Sequence, residues 1–291
     1  MKCTPNAGGF GATLDDLDLS ASSGDNVVPQ LMALLYRYRY LVIRNQDLDE
    51  ESYSAFGHHW GKPIFFFDPR LRDTAHPELI VIHNRPDTPE AQRNVALHWH
   101  VDGSYEDPPA STTLLFAVEG PEAGNETLFC DMVAAYAALP VDTKGRIEGL
   151  VVIHGVGDER LLLAGEHRGR GEIAHTRPTV GHRLAGRHPV TGKRMLYAPS
   201  GSPRGIVGMD EGEAIDLLIE LKKHATQERF TSSAAARTRD ILIWDNYAVM
   251  HSATPTHYSD RDGERRFIYR FSTRDLPASA AFPIEEGAFH A

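Results

Sequence analysis

The sequence predicts a mainly β chain with flanking helices, an α+β protein whose core is a double-stranded β-helix of the jelly-roll, cupin-like type. Three observations point there. Short apolar runs bounded by Gly, Pro or Asp recur from Leu79 to Phe271, the pattern of many short strands. Helical spacing is confined to a few segments between them. A His-x-Asp pair, His100 and Asp102, is answered far downstream by His251, and early and late strands of a jelly roll can lie side by side.

Each element has its own signal. Gly11 to Leu14, running into Asp15–Ser20, reads as a short strand and turn. Val28, Leu31, Leu34 and Leu35 give 27–38 a helical stripe, with Pro29 tolerable only in its first turn. Tyr40 to Arg44 is a β-rich run and a buried strand. Asp47 to Glu50 reads as an N-cap with Glu at the third position, opening a helix toward His59. Strands are expected at 79–82, 113–116, 151–153, 194–197, 241–244 and 267–271, with helices at 132–139 and 211–226. Ile215, Leu218, Ile219 and Leu221 mark the apolar side of the second helix. Residues 155–187 are rich in Gly, Arg and His and lack periodicity. They read as a long mobile loop, either a lid over the site or a surface insertion. With no repeat and no linker, residues 1–291 are expected to form one domain carrying that insertion.

Composition narrows the function. A net charge of -10 without a long basic run argues against nucleic acid and anionic membrane as partners. No apolar stretch approaches the roughly 20 residues of a membrane span, and Met1–Pro5 lacks a signal-peptide core. Two cysteines, Cys3 and Cys130, make a disulfide scaffold or a cysteine zinc site improbable and fit a reducing cytoplasm. The acidic surface is compatible with a homodimer or larger assembly.

The chemistry centres on His100, Asp102 and His251. Residues two apart in an extended segment share a face, so His100 and Asp102 project together while Trp99 and Val101 face the opposite layer. Gly103 lets the backbone turn away. Two histidines and one carboxylate fill one face of an octahedral iron(II) ion and leave three positions for co-substrate and O2. His-x-Asp alone is a weak signal, since an isolated pair is more often a hydrogen-bonded couple. His98 shares the face and is expected as a pocket wall or a support for the metal ligands; Tyr105 is a candidate pocket wall and substrate contact, with core packing its default. A cupin reading instead takes His98, His100, Glu106 and His251 as ligands to Zn, Mn or Fe.

The segment from Arg265 to Phe271 alternates. Arg266, Ile268 and Arg270 share one face, and Phe267, Tyr269 and Phe271 the other. The aromatic face must pack, which turns the arginines toward a cavity. Their planar forks suit carboxylates, and two of them beside an iron suggest a keto-acid co-substrate and an acidic substrate. The competing reading for these arginines is an internal ion pair with Asp or Glu; it is preferred for Arg265, and the anion-binding reading for Arg266 and Arg270. Phe65, Phe66, Phe67 and Met250 are candidates for an apolar pocket wall, with core packing the default for each.

With these residues in place, the chain resembles the taurine/2,4-dichlorophenoxyacetate dioxygenase family of Fe(II)- and 2-oxoglutarate-dependent oxygenases. The matching segments are Leu41 to Gln46, Trp99 to Tyr105, Glu126 to Phe129, His188 to Lys193, Ile243 to Asn246 with His251, and Arg265 to Arg270. The resemblance covers roughly 10–275 and implies a role for each matching residue. His100, Asp102 and His251 would bind iron. Arg266, helped by Thr127, would hold the distal carboxylate of 2-oxoglutarate, and Arg270 the acidic group of the substrate. Trp244, Asp245 and Asn246 would support the metal histidine.

Departures bear on substrate. Trp60, Gly61, Lys62 and Pro63 stand where the taurine enzymes carry a histidine-bearing segment, making Lys62 a candidate substrate contact. Ala96 or a neighbour replaces the Asn before their His-x-Asp, which argues against sulfonate. His224 to Gln227 is similar to the phenoxyacetate branch. Asp102 argues against a halogenase, which carries a small residue there.

The resemblance therefore implies hydroxylation of a small carboxylate-bearing or other acidic substrate, with 2-oxoglutarate and O2 consumed and succinate and CO2 released. Two other readings compete: the cupin metalloenzyme working without 2-oxoglutarate, and a non-catalytic sensor of a keto acid or metal.

Overall fold

The computed structural model describes residues 1–20, 24–89, 96–121, 123–155, 159–163, 166 and 178–276. Along the chain its strands are β1 (Lys2–Pro5), β2 (Ala12–Asp15), β3 (Tyr40–Ile43), β4 (Lys62–Pro63), β5 (Ile80–His83), β6 (Ala110–Glu119), β7 (Glu126–Asp131) and β8 (Val151–His154). They continue with β9 (Val180–Arg183), β10 (Ala185–Arg187), β11 (Arg194–Leu196), β12 (Pro203–Ile206), β13 (Thr231–Ala235), β14 (Ile241–Asp245), β15 (Val249–Ala253) and β16 (Phe267–Arg274). The helices are α1 (Gly24–Tyr38), α2 (Glu50–His58), α3 (Met132–Ala137), α4 (Val141–Ile147) and α5 (Glu211–Ala225).

Two sheets make the double-stranded β-helix. The larger runs β1-β2-β3-β14-β6-β16-β4, with β5 also paired to β16; the smaller runs β13-β7-β15. Why the central strands read as unbroken apolar runs is visible in their two faces. Tyr40, Val42, Leu115, Leu242, Trp244 and Ile268 point inward and meet Phe129 and Val249 of the smaller sheet. Leu41, Ile43, Leu114, Phe116, Ile243 and Phe271 point outward and are covered by Leu31 and Leu35 of α1 and Tyr53 and Phe56 of α2. Alternation between polar and apolar is absent because both faces are buried. Tyr40 stacks on Phe129 at 4.2 Å between ring centres, pinning the two sheets together.

A second core lies behind the site. Val101, Val152, Met195, Leu196 and Tyr197 pack there against Ala135 of α3 and Leu218 and Leu221 of α5. Its strands form the small sheet β12-β8-β9 and the hairpin β10-β11. Among the described residues, no helix is long and apolar enough to cross a membrane.

Several boundaries depart from expectation. The cap of α2 is Asp49, whose carboxylate accepts from Ser52 N at 2.8 Å, not Asp47. Helix α1 begins at Gly24, so Pro29 lies beyond its first turn. The supposed lid, 155–187, is not all loop, because 180–187 supplies β9 and β10. Its residues 156–158, 164–165 and 167–177 lie outside the described residues.

Candidate metal centre

Residues 97–101 belong to no named strand, but His100 makes an isolated antiparallel bridge with His251 of β15. His100 N–H donates to His251 O and His251 N–H to His100 O, both at 2.9 Å. Two residues far apart in sequence are thus held by a two-bond clamp, with their rings 4.2 Å apart. Val101 falls into the rear core and Trp99 packs against it, leaving His100 and Asp102 on the site side as the alternation requires. Gly103 (φ 58°) then reverses the chain. Gly201, absent from the sequence argument, makes the approach possible. At φ +95°, a Cβ there would lie 2.5 Å from His100 Cβ and 2.9 Å from its Cα.

The carboxylate is oriented from both sides. Thr113 Oγ1 donates to Asp102 Oδ2 (2.9 Å), Asn246 Nδ2 donates to Thr113 Oγ1 (2.9 Å), and Trp244 Nε1 donates to Asn246 Oδ1 (3.0 Å). Arg270 Nη2 lies 2.8 Å from Asp102 Oδ1. The segment Trp244 to Asn246 therefore acts mainly on the carboxylate; only Trp244 reaches a site histidine, its ring 4.7 Å from that of His251. Asp245 instead accepts from His188 Nε2 at 2.7 Å, a buried pair that takes no part in this chain of hydrogen bonds.

The donor set fits a divalent ion. His100 Nε2 is 3.7 Å from Asp102 Oδ1 and His251 Nε2 is 3.6 Å from Asp102 Oδ2, within the about 4 Å that two bonds of about 2.0–2.2 Å span. His100 Nδ1 lies 2.7 Å from His98 O; a carbonyl only accepts, so Nδ1 carries the proton and Nε2 the lone pair. Burial, then the neighbouring His100, pulls the His251 pKa down to about 3, keeping that ring neutral. Burial pushes the Asp102 carboxyl up, but Arg270, the two histidines and Thr113 outweigh it, so the group ionises below its ordinary range. A neutral His251 and an ionised Asp102 are the protonation states a metal needs, and a neutral His100 with its proton on Nδ1 offers Nε2 to the same ion.

Among the described residues, the donor atoms of His100, Asp102 and His251 gather within 4.8 Å; His98 and Glu106, the additional cupin ligands, are not in that group. His98 is buried beside it, its ring 4.7 Å from that of His100. Ile268 of β16 faces the inner core and Phe271 the helices, as the alternation predicts. Arg266 precedes this strand, its backbone held by Asn84: Arg266 N–H donates to Asn84 Oδ1 (2.7 Å) and Asn84 N–H to Arg266 O (3.2 Å). Its Nε is buried without a hydrogen-bond partner, and burial lowers its pKa to about 10, so it is still charged at neutral pH. A desolvated guanidinium with a vacant donor calls for an anion.

Thr127 lies on β7 in register with Ala234 and Ala253, on the same face as Phe129. Tyr105 is half-buried, 6.0 Å from the Phe67 ring. Lys62 is not gathered in: its side chain is 79% exposed and pairs with Asp275 at 3.1 Å. Arg265 pairs with Glu119 and Asp262, as expected of it. Met250 is fully buried in the rear core rather than walling the site, and Phe65 is exposed. His224 hydrogen-bonds Ala135 O (2.8 Å), tying α5 to α3.

Fold and triad together define a metal-dependent oxidoreductase of the facial-triad class. The family model for the taurine catabolism dioxygenase TauD, TfdA family matches residues 2–271. The chain is 30% identical over 269 residues to the alpha-ketoglutarate-dependent 2,4-dichlorophenoxyacetate dioxygenase of Cupriavidus pinatubonensis, covering 88% of this chain and 93% of that one. It is 31% identical over 303 residues to the alpha-ketoglutarate-dependent sulfonate dioxygenase of Saccharomyces cerevisiae, covering 99% and 68%. Among solved structures it resembles a taurine dioxygenase from Burkholderia xenovorans (TM-score 0.75, 26% identity, 97% and 98% covered). It also resembles AAD-2 in complex with Mn(II) and N-oxalylglycine (TM-score 0.74, 26% identity, 95% and 98% covered). The chain belongs to the TauD/TfdA family, and it is an Fe(II)- and 2-oxoglutarate-dependent dioxygenase.

Proposed function

We propose that this enzyme hydroxylates a small carboxylate-bearing substrate and that His100, Asp102 and His251 hold its iron. The observation that carries the reading is the convergence of three metal-competent donors within 4.8 Å, with Arg270 beside them. Bound iron(II), with 2-oxoglutarate and O2, supplies the oxidation: one oxygen atom goes to the substrate and the other to succinate, with loss of CO2.

The protein binds, orients and excludes water. Arg266, with its vacant buried donor, takes the distal carboxylate of 2-oxoglutarate, and Thr127 adds a hydroxyl from β7. Arg270 takes the acid of the substrate. Its pairing with Asp102 supports this: a cation at the triad would compete for the same carboxylate oxygen and repel the guanidinium, leaving Arg270 to an anion. His98, whose ring lies 4.7 Å from that of His100, and Tyr105, which packs on Phe67, are the proposed walls of the substrate pocket. The rings of Phe129 and Trp244, 6.5 and 4.7 Å from that of His251, back the site with the apolar inner core and help keep it dry. The relatives are named for a phenoxyacetate and for sulfonates; we assign the carboxylate, because Lys62, the candidate contact for a third anionic oxygen, is exposed and paired with Asp275. A family match from residue 2 to residue 271 supports the one-domain reading.

The test is succinate release from 2-oxoglutarate in the presence of a panel of carboxylic acids, phenoxyacetates included, and matched sulfonates. Stimulation by carboxylates is expected and should fall in Arg270→Met. Stimulation by sulfonates alone would overturn the substrate class. Turnover of an acid without 2-oxoglutarate would overturn the reaction.

A further inference from the structure

Glu166 sits inside the 155–187 insertion, and its carboxylate is fully employed. Oε1 accepts from Trp99 N–H at 2.9 Å, and Oε2 accepts from Leu163 N–H at 2.5 Å and from Lys222 Nζ. Lys222 of α5 is completely buried and also donates to Leu161 O at 2.7 Å. An interior ion pair of this kind is costly to bury and adds little net stability by itself. What it grips explains its presence. Trp99 N–H belongs to the same planar peptide unit as His98 C=O, and His98 C=O is the acceptor that holds His100 Nδ1–H at 2.7 Å.

We propose that Glu166, neutralised by Lys222, is a positioning residue for the metal ligand His100, acting through the His98–Trp99 peptide plane. Because that peptide is rigid, fixing its N–H fixes the direction of its C=O. A carboxylate on the N–H also polarises the amide, which makes its oxygen a stronger acceptor. Both effects hold His100 in the Nδ1–H tautomer with its Nε2 lone pair aimed at the ion. Metal-bound histidines commonly donate their second nitrogen to a carboxylate or carbonyl, and loss of such a partner typically costs about 10–100-fold in metal affinity. Here the carboxylate acts one peptide further out. The insertion thereby gains a role distinct from covering the site: Leu161 O and Leu163 N–H hold the Lys222–Glu166 pair, and Glu166 holds the segment that carries His100. This inference rests on the assignment of His100 as an iron ligand.

The test compares two double variants that both remove the buried charges. Glu166→Ala/Lys222→Met leaves Trp99 N–H without an acceptor, whereas Glu166→Gln/Lys222→Met keeps a carbonyl oxygen there. Metal-free proteins are titrated with Co(II) alone, followed by visible absorbance, and the His100 tautomer is read by nitrogen-15 NMR of the imidazoles. The alanine variant should bind Co(II) about 10–100-fold more weakly than wild type and lose the pure Nδ1–H tautomer. The glutamine variant should retain most of the affinity and the tautomer. Equal affinity in both variants, whether both intact or both weakened along with the melting temperature, would overturn the relay. Failure of wild type to bind Co(II) would instead remove the metal-site reading beneath it. Leu218→Ala, which loosens the same helix without touching the relay, should lower the melting temperature and leave Co(II) affinity unchanged.

Discussion

Replacing Thr113 by Val removes one hydroxyl from beside the triad at nearly constant volume. That hydroxyl donates its only proton to Asp102 Oδ2 and accepts from Asn246 Nδ2, with Ser272 Oγ a third neighbour at 3.1 Å. Its loss removes a hydrogen bond to a charged group, about 1.5–3 kcal/mol, and strands a buried amide donor, about 1–3 kcal/mol. Asp102 retains Arg270 and the two histidines, and such terms do not add fully, so roughly 2–4 kcal/mol of the metal-free protein's stability is the expected loss. The carboxylate also loses the bond that fixes its rotation, so Fe(II) or Co(II) affinity should fall about 10–100-fold. Urea midpoints and Co(II) titration measure the two effects separately. Thr113→Ser, which keeps the hydroxyl, should restore metal affinity. A double-mutant cycle with Asn246→Ala should show strong coupling, since among the described residues Asn246 reaches Asp102 through Thr113. A valine variant within about 0.5 kcal/mol of wild type and with unchanged metal affinity would refute the orientation chain.

Three further outcomes follow from the same geometry. Gly201→Ala forces a Cβ to within 2.5 Å of His100 Cβ at a strained φ. It should cost about 1–3 kcal/mol in urea unfolding and weaken Co(II) binding, and an unperturbed variant would contradict the close approach. Arg266→Met should weaken 2-oxoglutarate binding by about 30-fold or more in calorimetry, as expected for losing about 2 kcal/mol or more of a charge-assisted pair. Because it removes a buried cation that has no carboxylate partner among the described residues, the same variant should be as stable as wild type or more so. His154 is fully buried on β8 without a hydrogen-bond partner, and burial lowers its pKa to about 3, against about 6.5 in an unfolded chain. Between these values the unfolded state holds the extra proton. Stability should therefore fall as pH drops below about 6.5, by about 2 kcal/mol at pH 5 from this residue. His154→Phe should remove that share of the pH slope in urea midpoints, and an unchanged slope would contradict it.

The residues that could be read from sequence are those whose environment is set locally. Tyr40–Ile43 and Ile241–Trp244 announce central strands because every side chain is buried, and Arg266 to Phe271 declares two faces by strict alternation. Where structure depends on a distant partner, the signal is faint. β13 is a run of small and hydroxyl residues, Thr231 to Ala235, that becomes a strand by pairing with β7. β9 carries Gly181 and is fixed by β8. α4 opens after Pro140 without a side-chain cap. Gly201 looks like one more loop glycine until His100 is placed against it. Lys222 did carry a clue. It lies four residues after Leu218 and seven after Ile215, on the apolar stripe of α5, where a lysine is tolerated only with a buried partner.

The most direct measurement is anaerobic addition of Fe(II) and 2-oxoglutarate to the metal-free protein, followed by visible absorbance, in wild type and in His100→Ala. A weak metal-to-ligand charge-transfer band in wild type, absent from the variant, is the predicted result. No band in wild type carrying a full equivalent of iron would contradict the central claim, as would an undiminished band in the variant.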